Sequence, residues 1–480
     1  MQSSKVRAVL VCGAAALALC LVSGFRVVSA ADVVLTTRED SLGKPGPGTI
    51  PKSLAVSPDS KRVAYATKRG AKLWVVLDGA EGKEYDGMGG LVFSPDSKRV
   101  AYAAKRGDKG LVVADGVEGK EYDEIVAVLV FSPDGKRMAY AAERGGKQLV
   151  VVDGAEGKEY DGVGRLVFSP DSHRVAYVAG PGGKPLVVVD GVEGKEYSGI
   201  GASVPRFSPD SKRVAYVAGR GEKQLVVLDG VEEKEYNGIG ASSLAFSPDS
   251  KRVAYLAGRG DKQLVVVDGV EGKKEYDGIV VGSPVFSPDS KRVAYGARRG
   301  DKWLPVVDGV EGKEYDGIGE GPLFSPDGQR MAYEARRGEK WLVVVDGVES
   351  KKEYDAIEAG SLGFSPDSKR LAYAAKRGEK WLAVVDGVEG KEYDAIEGGP
   401  VFSPDSKRVA YRARRAEKWL AVVDAVEGKE YDGFLKGSRL VFDSPSQLHT
   451  LALVGDEILR VEVEIVMPET EPSGAPRPHL

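Results

Sequence analysis

A unit of about 39 residues recurs along almost the whole chain, and this repeat restricts the possible folds more than any other feature. One copy begins at Phe286 and reads Phe-Ser-Pro-Asp-Ser-Lys-Arg-Val-Ala-Tyr. Ten copies of the Ser-Pro-Asp tripeptide lie between Pro58 and Pro404, a degenerate eleventh lies at Pro445, and successive spacings are 37 to 41 residues. Repeats of this length predict a solenoid or a propeller, because each unit buries its surfaces only against its neighbours.

Each unit contains four short runs with strand character, separated by turn signals. The Val-, Ala-, Tyr- and Leu-rich runs lack helical periodicity, and the Ser-Pro-Asp and Asp-Gly sequences favour tight turns. In the seventh unit the predicted strands are 284–286, 293–297, 303–308 and 313–318. The sequence therefore predicts an all-β fold, a β-propeller of about 10–11 four-stranded blades.

The ends of the repeat region predict how the propeller closes. The last unit offers three strands, 440–442, 449–454 and 458–466, while the β-prone run 33–37 has no unit of its own. Pairing that run with the last unit would cover an exposed sheet edge. We prefer a single large ring, with two smaller rings or an open arc as alternatives. Strand alternation places the Ser-Pro-Asp and Asp-Gly turns on one face and the Arg-Gly-Asp/Glu-Lys loops on the other.

All 20 tyrosines occupy two repeat positions, one after Val-Ala, as in Tyr65, and one after Lys-Glu, as in Tyr85. Aromatic residues fixed in this way are expected to pack between blades, with each hydroxyl near a polar partner. The alternative is that they form a binding ring.

The Phe-Ser-Pro-Asp-Ser/Gly-Lys-Arg-Val-Ala-Tyr string resembles the WD40-like repeats of TolB-type bacterial β-propellers, over about residues 53–442. The resemblance implies the propeller fold. TolB also carries an N-terminal α/β domain, for which the sequence ahead of the first repeat is too short. The envelope partner of TolB is therefore not carried over to this chain.

The N-terminal residues 1–30 have the pattern of a secretory signal peptide, with Lys5 and Arg7 ahead of an apolar run and small residues before Ala31. Cys12 and Cys20 both lie in this segment, so the exported chain would contain no cysteine. We divide the rest into a Gly/Pro-rich lead-in at 31–52, repeats at 53–466, and a Pro-rich, disordered tail at 467–480. The expected location is periplasmic or extracellular, with no membrane span in the mature chain.

The composition favours neither catalysis nor nucleic-acid binding. The 68 basic and 72 acidic residues alternate within every unit, and no basic excess marks a nucleic-acid surface. His173 reads as a solvated turn residue, and no His or Cys cluster has metal-ligand spacing. The repeated acids such as Asp78 and Asp308 read as turn formers, although a glycosidase-like acid pair and calcium at the turns are alternatives. We predict no catalytic residue, cofactor or metal.

One set of residues departs from the repeat. Trp303, Trp341, Trp381 and Trp419 hold one position in four consecutive units, where earlier units have Gln148, Gln224 and Gln263. Arg299, Arg337, Arg377 and Arg415 lie nearby in the preceding loop. Tryptophan with arginine suits peptide or sugar contacts through stacking and cation–π attraction, whereas the alternative is an indole that covers neighbouring aliphatic residues.

The sequence therefore predicts a secreted or periplasmic, non-enzymatic scaffold that binds a protein, peptide or glycan through this tryptophan and arginine set. The alternatives are an envelope or extracellular hydrolase or lyase acting on glycans or peptides, and a purely structural envelope component.

Overall fold

The computed structural model describes residues 33–180, 182–201, 205–240, 242–280 and 282–466. The chain forms a single large β-propeller of eleven antiparallel blades, which we number 1 to 11 from the first complete repeat. Within the described residues, the only helical segment is the short 3-10 turn Pro51–Ser53. The predicted signal segment 1–30, both cysteines and the tail 467–480 lie outside the described residues.

The four strands of each blade are ordered from the propeller axis outward, since the first strands of neighbouring blades contact one another. The first strand is continuous in blades 2, 3, 4 and 10, short in blade 1, and split into two pieces in blades 5–9 and 11. In chain order these first strands are Ala55–Val56, Gly87–Phe93, Glu124–Phe131, Gly162–Phe168, Gly199–Ile200 with Arg206–Phe207, Gly238–Ile239 with Ala245–Phe246, Gly278–Ile279 with Val285–Phe286, Gly317–Ile318 with Leu323–Phe324, Ala356–Ile357 with Gly363–Phe364, Ala395–Phe402, and Gly433–Phe434 with Val441–Ser444.

The second and third strands form the buried centre of each blade and carry most of its buried Val, Ala and Leu. The second strands are Val63–Arg69, Val100–Arg106, Met138–Arg144, Val175–Gly180, Val214–Arg220, Val253–Arg259, Val293–Arg299, Met331–Arg337, Leu371–Arg377, Val409–Arg415 and Gln447–Val454. The third strands are Lys72–Leu77, Lys109–Ala114, Lys147–Val152, Leu186–Val189, Lys223–Leu228, Lys262–Val267, Lys302–Val307, Lys340–Val345, Lys380–Val385, Lys418–Val423 and Glu457–Val466.

The fourth strand lies at the outer edge of the blade and is often only two residues long. These strands are Ala80–Glu81, Val117–Tyr122, Ala155–Tyr160, Val192–Glu193, Val231–Glu232, Val270–Glu271, Val310–Glu311, Val348–Glu349, Val388–Tyr393, Val426–Tyr431 and, in blade 11, Val34–Ser41. The prediction that 313–318 is the fourth strand of its unit was wrong. Gly317–Ile318 begins the next blade, and only an isolated bridge joins Tyr315 to Trp303.

Two turns shape one face of the propeller, which we call the turn face. In the turn between the third and fourth strands, Asp78 and Gly79 both have positive φ, 50° and 85°, as the Asp-Gly signal predicts for a type I′ hairpin. In the Ser-Pro-Asp-Ser turn, Ser60 has φ 57°, and glycine takes this position in two other blades. Nε of Arg62 joins the two turns with a 2.8 Å hydrogen bond to Oδ2 of Asp78.

The opposite face, the loop face, carries the Arg-Gly-Asp/Glu-Lys loops and the connections between blades. There Nζ of Lys72 donates to Oδ1 of Asp86 at 2.6 Å, and the backbone N of Gly107 donates to the other oxygen of Asp86 at 2.8 Å. Asp86 thus links the loops of two successive blades. These contacts confirm the predicted division of the turns and loops between the two faces.

The tyrosines pack between blades, as predicted, and all 20 are buried. Nine pairs join the tyrosine that follows Lys-Glu in one blade to the second-strand tyrosine of the next blade in edge-to-face contact, with ring centroids 6.0 to 6.4 Å apart. The hydroxyl of Tyr85 donates to Glu118 of the next blade at 2.9 Å, and the same bond recurs in other blades. The backbone N of Asp59 also donates to Ser97 Oγ of the next blade at 3.0 Å. Burial excludes the alternative that the tyrosines form a binding ring.

The ring closes by strand exchange, which confirms the predicted closure. Val34–Ser41 pairs antiparallel with Glu457–Val466 over eight residue pairs, from Val34 with Val466 to Ser41 with Leu459. We call these two segments the closing strands. Blade 11 in turn packs on blade 1 through Leu451 and Ile458 against Val63 and Tyr65. His449, buried in the second strand of blade 11, lies 2.6 Å from Asp443 and 2.5 Å from the Asp59 carbonyl of blade 1.

Candidate interaction surface

The four tryptophans that depart from the repeat, Trp303, Trp341, Trp381 and Trp419, lie at one position in blades 7 to 10, and we call them the tryptophan arc. Each is the second residue of a third strand, next to the loop face, and each is half-buried. The indoles thus have both a packed and a solvent-accessible part. The fifth tryptophan, Trp74, occupies the following position in blade 1 and is buried.

A cation lies over three of the four indoles. Across the second and third strands, Trp303 faces Arg298 and Trp341 faces Arg336, and the same register pairs Trp381 with Lys376 and Trp419 with Arg414. The charged groups of Arg298, Lys376 and Arg414 lie 5.9, 5.9 and 5.7 Å from the respective indole centroids. This geometry is typical of cation–π attraction.

The packed side of the arc lies against the next blade. Trp381 covers a core cluster that includes Tyr393, Ile396 and Tyr411. Trp419 meets Phe434 of blade 11 edge-to-face, with centroids 6.1 Å apart. Part of each of these indoles therefore stabilises a junction between blades, as the alternative interpretation of the tryptophans expects.

Glutamine at the same position in other blades also connects neighbouring blades. Oε1 of Gln148 accepts a 2.9 Å hydrogen bond from the backbone N of Val163, and Gln224 and Gln263 accept equivalent bonds from Ile239 and Ile279 at 2.7 and 2.8 Å. The position therefore takes an indole in blades 7 to 10 and, in blades 3, 5 and 6, an amide that hydrogen-bonds to the next blade, while blades 1, 2 and 4 have Leu73, Gly110 and Pro185 there.

The predicted arginines Arg299, Arg337, Arg377 and Arg415 do not lie over the indoles. Each forms an ion pair with a glutamate of its own fourth strand; for example, Arg337 lies 2.6 Å from Glu349 and Arg415 lies 2.8 Å from Glu427. Hydrogen bonds from Arg337 and Lys313 lower the pKa of Glu349 to about 2. Side chains of successive residues in a strand point to opposite sides, so the cation over an indole is the residue before each predicted arginine. That alternation was the signal available in the sequence.

Two buried charged residues were missed by the sequence analysis. Glu334 in blade 8 and Arg412 in blade 10 occupy one position of the second strand, at which blade 9 has Ala374. Burial, followed by the charge of Glu320, raises the pKa of Glu334 to about 7. Arg412 donates to the carbonyl oxygen and hydroxyl of Ser438, at 2.9 Å each, and burial lowers its pKa to about 10. A charged residue at a position where the other repeats have Ala, Gly, Val or Leu was the available signal.

The repeated acids hold the turns together, and the predicted turn histidine is exposed to solvent. Asp78 accepts from the backbone N of Val63 at 2.9 Å as well as from Arg62, and the other Asp-Gly turns repeat this pattern. His173 is exposed in its turn, as predicted. Among the described residues, no group of three or more His, Cys, Asp or Glu side chains is placed to hold a metal ion. No helix in this part of the chain has the length and apolar character needed to cross a membrane.

Solved structures similar to this chain include several β-propellers. A eukaryotic initiation factor matches with 13% identity and a TM-score of 0.37, over 63% of this chain and 87% of that one. TolB from Acinetobacter baumannii matches with 15% identity and a TM-score of 0.25, over 67% and 81%. The propeller domain of the Trilobed protease from Pyrococcus furiosus matches with 14% identity and a TM-score of 0.27, over 56% and 94%.

No protein-family model and no curated protein matches the chain. At these identities the structural likeness concerns the fold alone, and the low TM-scores give it no weight for function.

Proposed function

We propose that this chain is an exported, non-enzymatic propeller scaffold that binds a protein, peptide or glycan partner through the tryptophan arc. The observation that carries this proposal is the placement of four half-buried indoles at one position in four consecutive blades, three of them with a cation over the ring. Large aromatic residues with partial exposure commonly dominate binding energy at interfaces.

The composition of the arc supports this kind of contact. In blades 3, 5 and 6 the same position holds Gln148, Gln224 and Gln263, so the fold does not require an indole there. The cations of the arc are Arg298, Arg336, Lys376 and Arg414, in place of the four arginines that the sequence suggested. Export is supported by residues 1–30 of the sequence, whose basic start and apolar run fit a secretory signal.

Intrinsic tryptophan fluorescence tests the proposal directly, because Trp74 is buried and the other four tryptophans form the arc. The purified chain lacking residues 1–30 would be screened against peptide and glycan arrays, and each hit titrated while emission and acrylamide quenching are followed. We expect saturable binding that protects the arc from the quencher. Binding that leaves emission and quenching unchanged would contradict the arc as the site, and hydrolytic turnover of a bound glycan or peptide would contradict the non-enzymatic scaffold.

A further inference from the structure

A groove opens on the turn face between blades 4 and 5, on the side opposite to the tryptophan arc. It has a volume of about 380 Å³, and its walls include Val187, Val189 and Val192 of blade 4 and Val214 and Tyr216 of blade 5. Val192, the first residue of the fourth strand after the Asp-Gly turn, is 72% exposed. The groove thus has an aliphatic floor and an exposed aliphatic rim.

The same groove recurs between other blades. Equivalent residues enclose about 550 Å³ between blades 1 and 2, about 310 Å³ between blades 3 and 4, and about 760 Å³ between blades 6 and 7. We call these four spaces the inter-blade grooves. Seven valines begin fourth strands directly after the Asp-Gly turns of this face, and we call them the turn valines. They are 68% to 72% exposed: Val117, Val192, Val231, Val270, Val310, Val348 and Val388. Apolar side chains repeated at such exposure are typical of an interaction surface.

Between blades 10 and 11 the corresponding space is filled by the chain itself. The closing strands continue past the level at which other blades turn, and Leu35, Val463 and Ile465 pack there with Val423 of blade 10. Gly428 corresponds to Gly194 of the groove between blades 4 and 5, and a Cβ atom at Gly428 would lie 3.7 Å from Cδ1 of Leu35. The equivalent atom at Gly194 lies 3.6 Å from the Tyr216 hydroxyl, and blade 11 has Thr450 at that tyrosine position. Leu35 of the outer closing strand therefore places an aliphatic side chain where a tyrosine lines the other grooves.

Filling the groove changes the exposure of its walls. Val423 is 0% exposed, whereas its equivalents Val189 and Val267 in blades with open grooves are half-buried. Val426, which holds the turn-valine position of blade 10, is also half-buried, unlike the seven exposed turn valines. Transfer of such aliphatic surface out of water is the main source of binding energy that an open groove offers.

The charges at the rim restrict the chemistry of an occupant. Arg174 lies 2.8 Å from Asp190 and is already paired. Lys212, on the other side of the groove, is 82% exposed and 3.9 Å from its nearest carboxylate, and Lys98 and Lys291 are 81% and 80% exposed in the equivalent grooves. An acidic group beside the aliphatic residue would find its partner in these lysines.

We propose that the inter-blade grooves bind an extended, acidic peptide segment whose aliphatic side chains enter the grooves as Leu35 enters the space between blades 10 and 11. Carboxylates of the segment pair with Lys98, Lys212 and Lys291. The repetition of the groove favours a partner with several such segments, because linked sites raise the overall affinity. This inference rests on the proposed scaffold function but uses the face opposite to the arc.

The test uses the chain without residues 1–30 and three fluorescein-labelled nine-residue peptides. One alternates glutamate with leucine, one replaces the glutamates with lysine, and one replaces the leucines with serine. Fluorescence anisotropy should show saturable binding of the first peptide, at least tenfold tighter than of either control and weaker at high salt. Equal binding of the three peptides, binding of a neutral hexasaccharide in competition with the first, or self-association that displaces it would overturn the proposal.

Groove variants locate the binding. Substituting glutamine for Gly82, Gly157, Gly194 and Gly272 fills the four grooves without adding charge, and we expect affinity to fall at least tenfold. The position accepts a long side chain in blade 5, where Glu233 accepts a 2.7 Å hydrogen bond from the Tyr255 hydroxyl. Glu233→Gly would open one further groove and should raise the number of peptides bound per chain.

Two further sets of variants keep the test decisive. If the glycine variant does not fold, serine in place of Val192, Val270 and Val310 tests the aliphatic contact, since these exposed residues contribute little to the core. Unchanged affinity in that set would overturn the proposal. Replacing the four arc tryptophans with glutamine should leave peptide affinity unchanged. Loss of peptide binding in the arc variant alone would overturn the proposal and place the peptide site on the loop face. Loss in the groove variants alone would support the grooves, and the arc would then be judged by its own fluorescence titration.

Discussion

The hydroxyl of Tyr431 in blade 10 donates a 2.7 Å hydrogen bond to Oε1 of Glu39, a residue that lies 392 positions earlier in the chain. Tyr393 makes the same bond to Glu427 at 3.0 Å within the regular part of the propeller. Glu39 therefore takes the place of the glutamate that each blade normally supplies to its predecessor. Lys429 also contacts Glu39, at 2.8 Å, and these hydrogen bonds lower the pKa of Glu39.

The first prediction concerns this closure. A chain that begins after Ser41 lacks the outer closing strand, so the edge of Glu457–Val466 is left unpaired. We expect a large drop in melting temperature and concentration-dependent association through that edge, measured by calorimetry and analytical ultracentrifugation. A synthetic peptide of residues 33–43 should restore a monomer. A truncated chain that stays monomeric and melts like the full chain would show that the closing strand contributes nothing to the ring.

Matched tyrosine variants isolate the single hydrogen bond. Tyr431→Phe and Tyr393→Phe each remove one hydroxyl that donates to a carboxylate, and each should lower the free energy of unfolding by about 1.5–3 kcal/mol. Because both tyrosines are buried and both partners are glutamates, we expect similar losses in chemical denaturation. A loss confined to Tyr393→Phe would mean that the Glu39 contact does not hold the ring closed.

The second prediction concerns the tryptophan arc. Replacing all four of its residues with glutamine imitates blades 3, 5 and 6, where the glutamine amide bonds to the next blade. We expect the variant to fold and to lose partner binding, with about 2 kcal/mol or more attributable to each indole that contacts the partner. Thermal unfolding and binding would be measured together. Unfolding of the variant would assign the tryptophans to the core, and binding as strong as before would place the site elsewhere.

The third prediction concerns Glu334, which is 7% exposed and has a pKa of about 7. An unfolded glutamate has an ordinary pKa of 4.5, so the folded state holds this proton more tightly between pH 4.5 and pH 7. Stability is therefore greatest below that window, falls as the pH rises through it, and stays lower above it. The shift corresponds to about 3 kcal/mol.

Glu334→Gln removes this titration. The difference in unfolding free energy between the variant and the parent chain should grow in favour of the variant as the pH rises from 5 to 8, by about 3 kcal/mol, measured by urea denaturation. Comparing the two proteins at each pH cancels the titration of the other acids. Glu320→Gln is the companion variant, because it removes the charge that adds to the raised pKa of Glu334 and should reduce the pH effect. A difference between parent and Glu334→Gln that does not change with pH would contradict the prediction.

The fourth prediction concerns Arg412, which is buried and lies 4.7 Å above the Phe434 ring. Arg412→Ala leaves a cavity and leaves the Ser438 acceptors without a donor, so we expect a loss of about 3 kcal/mol in unfolding free energy. Arg412→Met keeps most of the volume and removes the buried charge but leaves the same acceptors unpaired, so its loss should be clearly smaller than that of the alanine variant. Denaturant titration of the two variants decides this. If the methionine variant is as unstable as the alanine variant, the charge itself holds blade 10 to blade 11.

The architecture could be read from the sequence because its determinants are local and repeated. The Asp-Gly and Ser-Pro-Asp signals set the turns, two fixed tyrosine positions set the packing between blades, and the unmatched run near Val33 indicated the closing strand. The fourth strand was misplaced because Lys313–Ile318 has the composition of a strand, although its hydrogen bonds divide between two blades.

Tertiary structure decided what each side chain meets. Arg298 and Arg299 are neighbours of the same type, yet only the first lies over Trp303, because strand alternation sends the second to Glu311. His449 is buried against the Asp59 carbonyl of blade 1, a contact that no local pattern encodes. The inter-blade grooves depend on how far neighbouring sheets separate at the turn face. The sequence thus determined the blade and the order of the ring, whereas contacts between blades, which join residues distant along the chain, were determined only when the ring had closed.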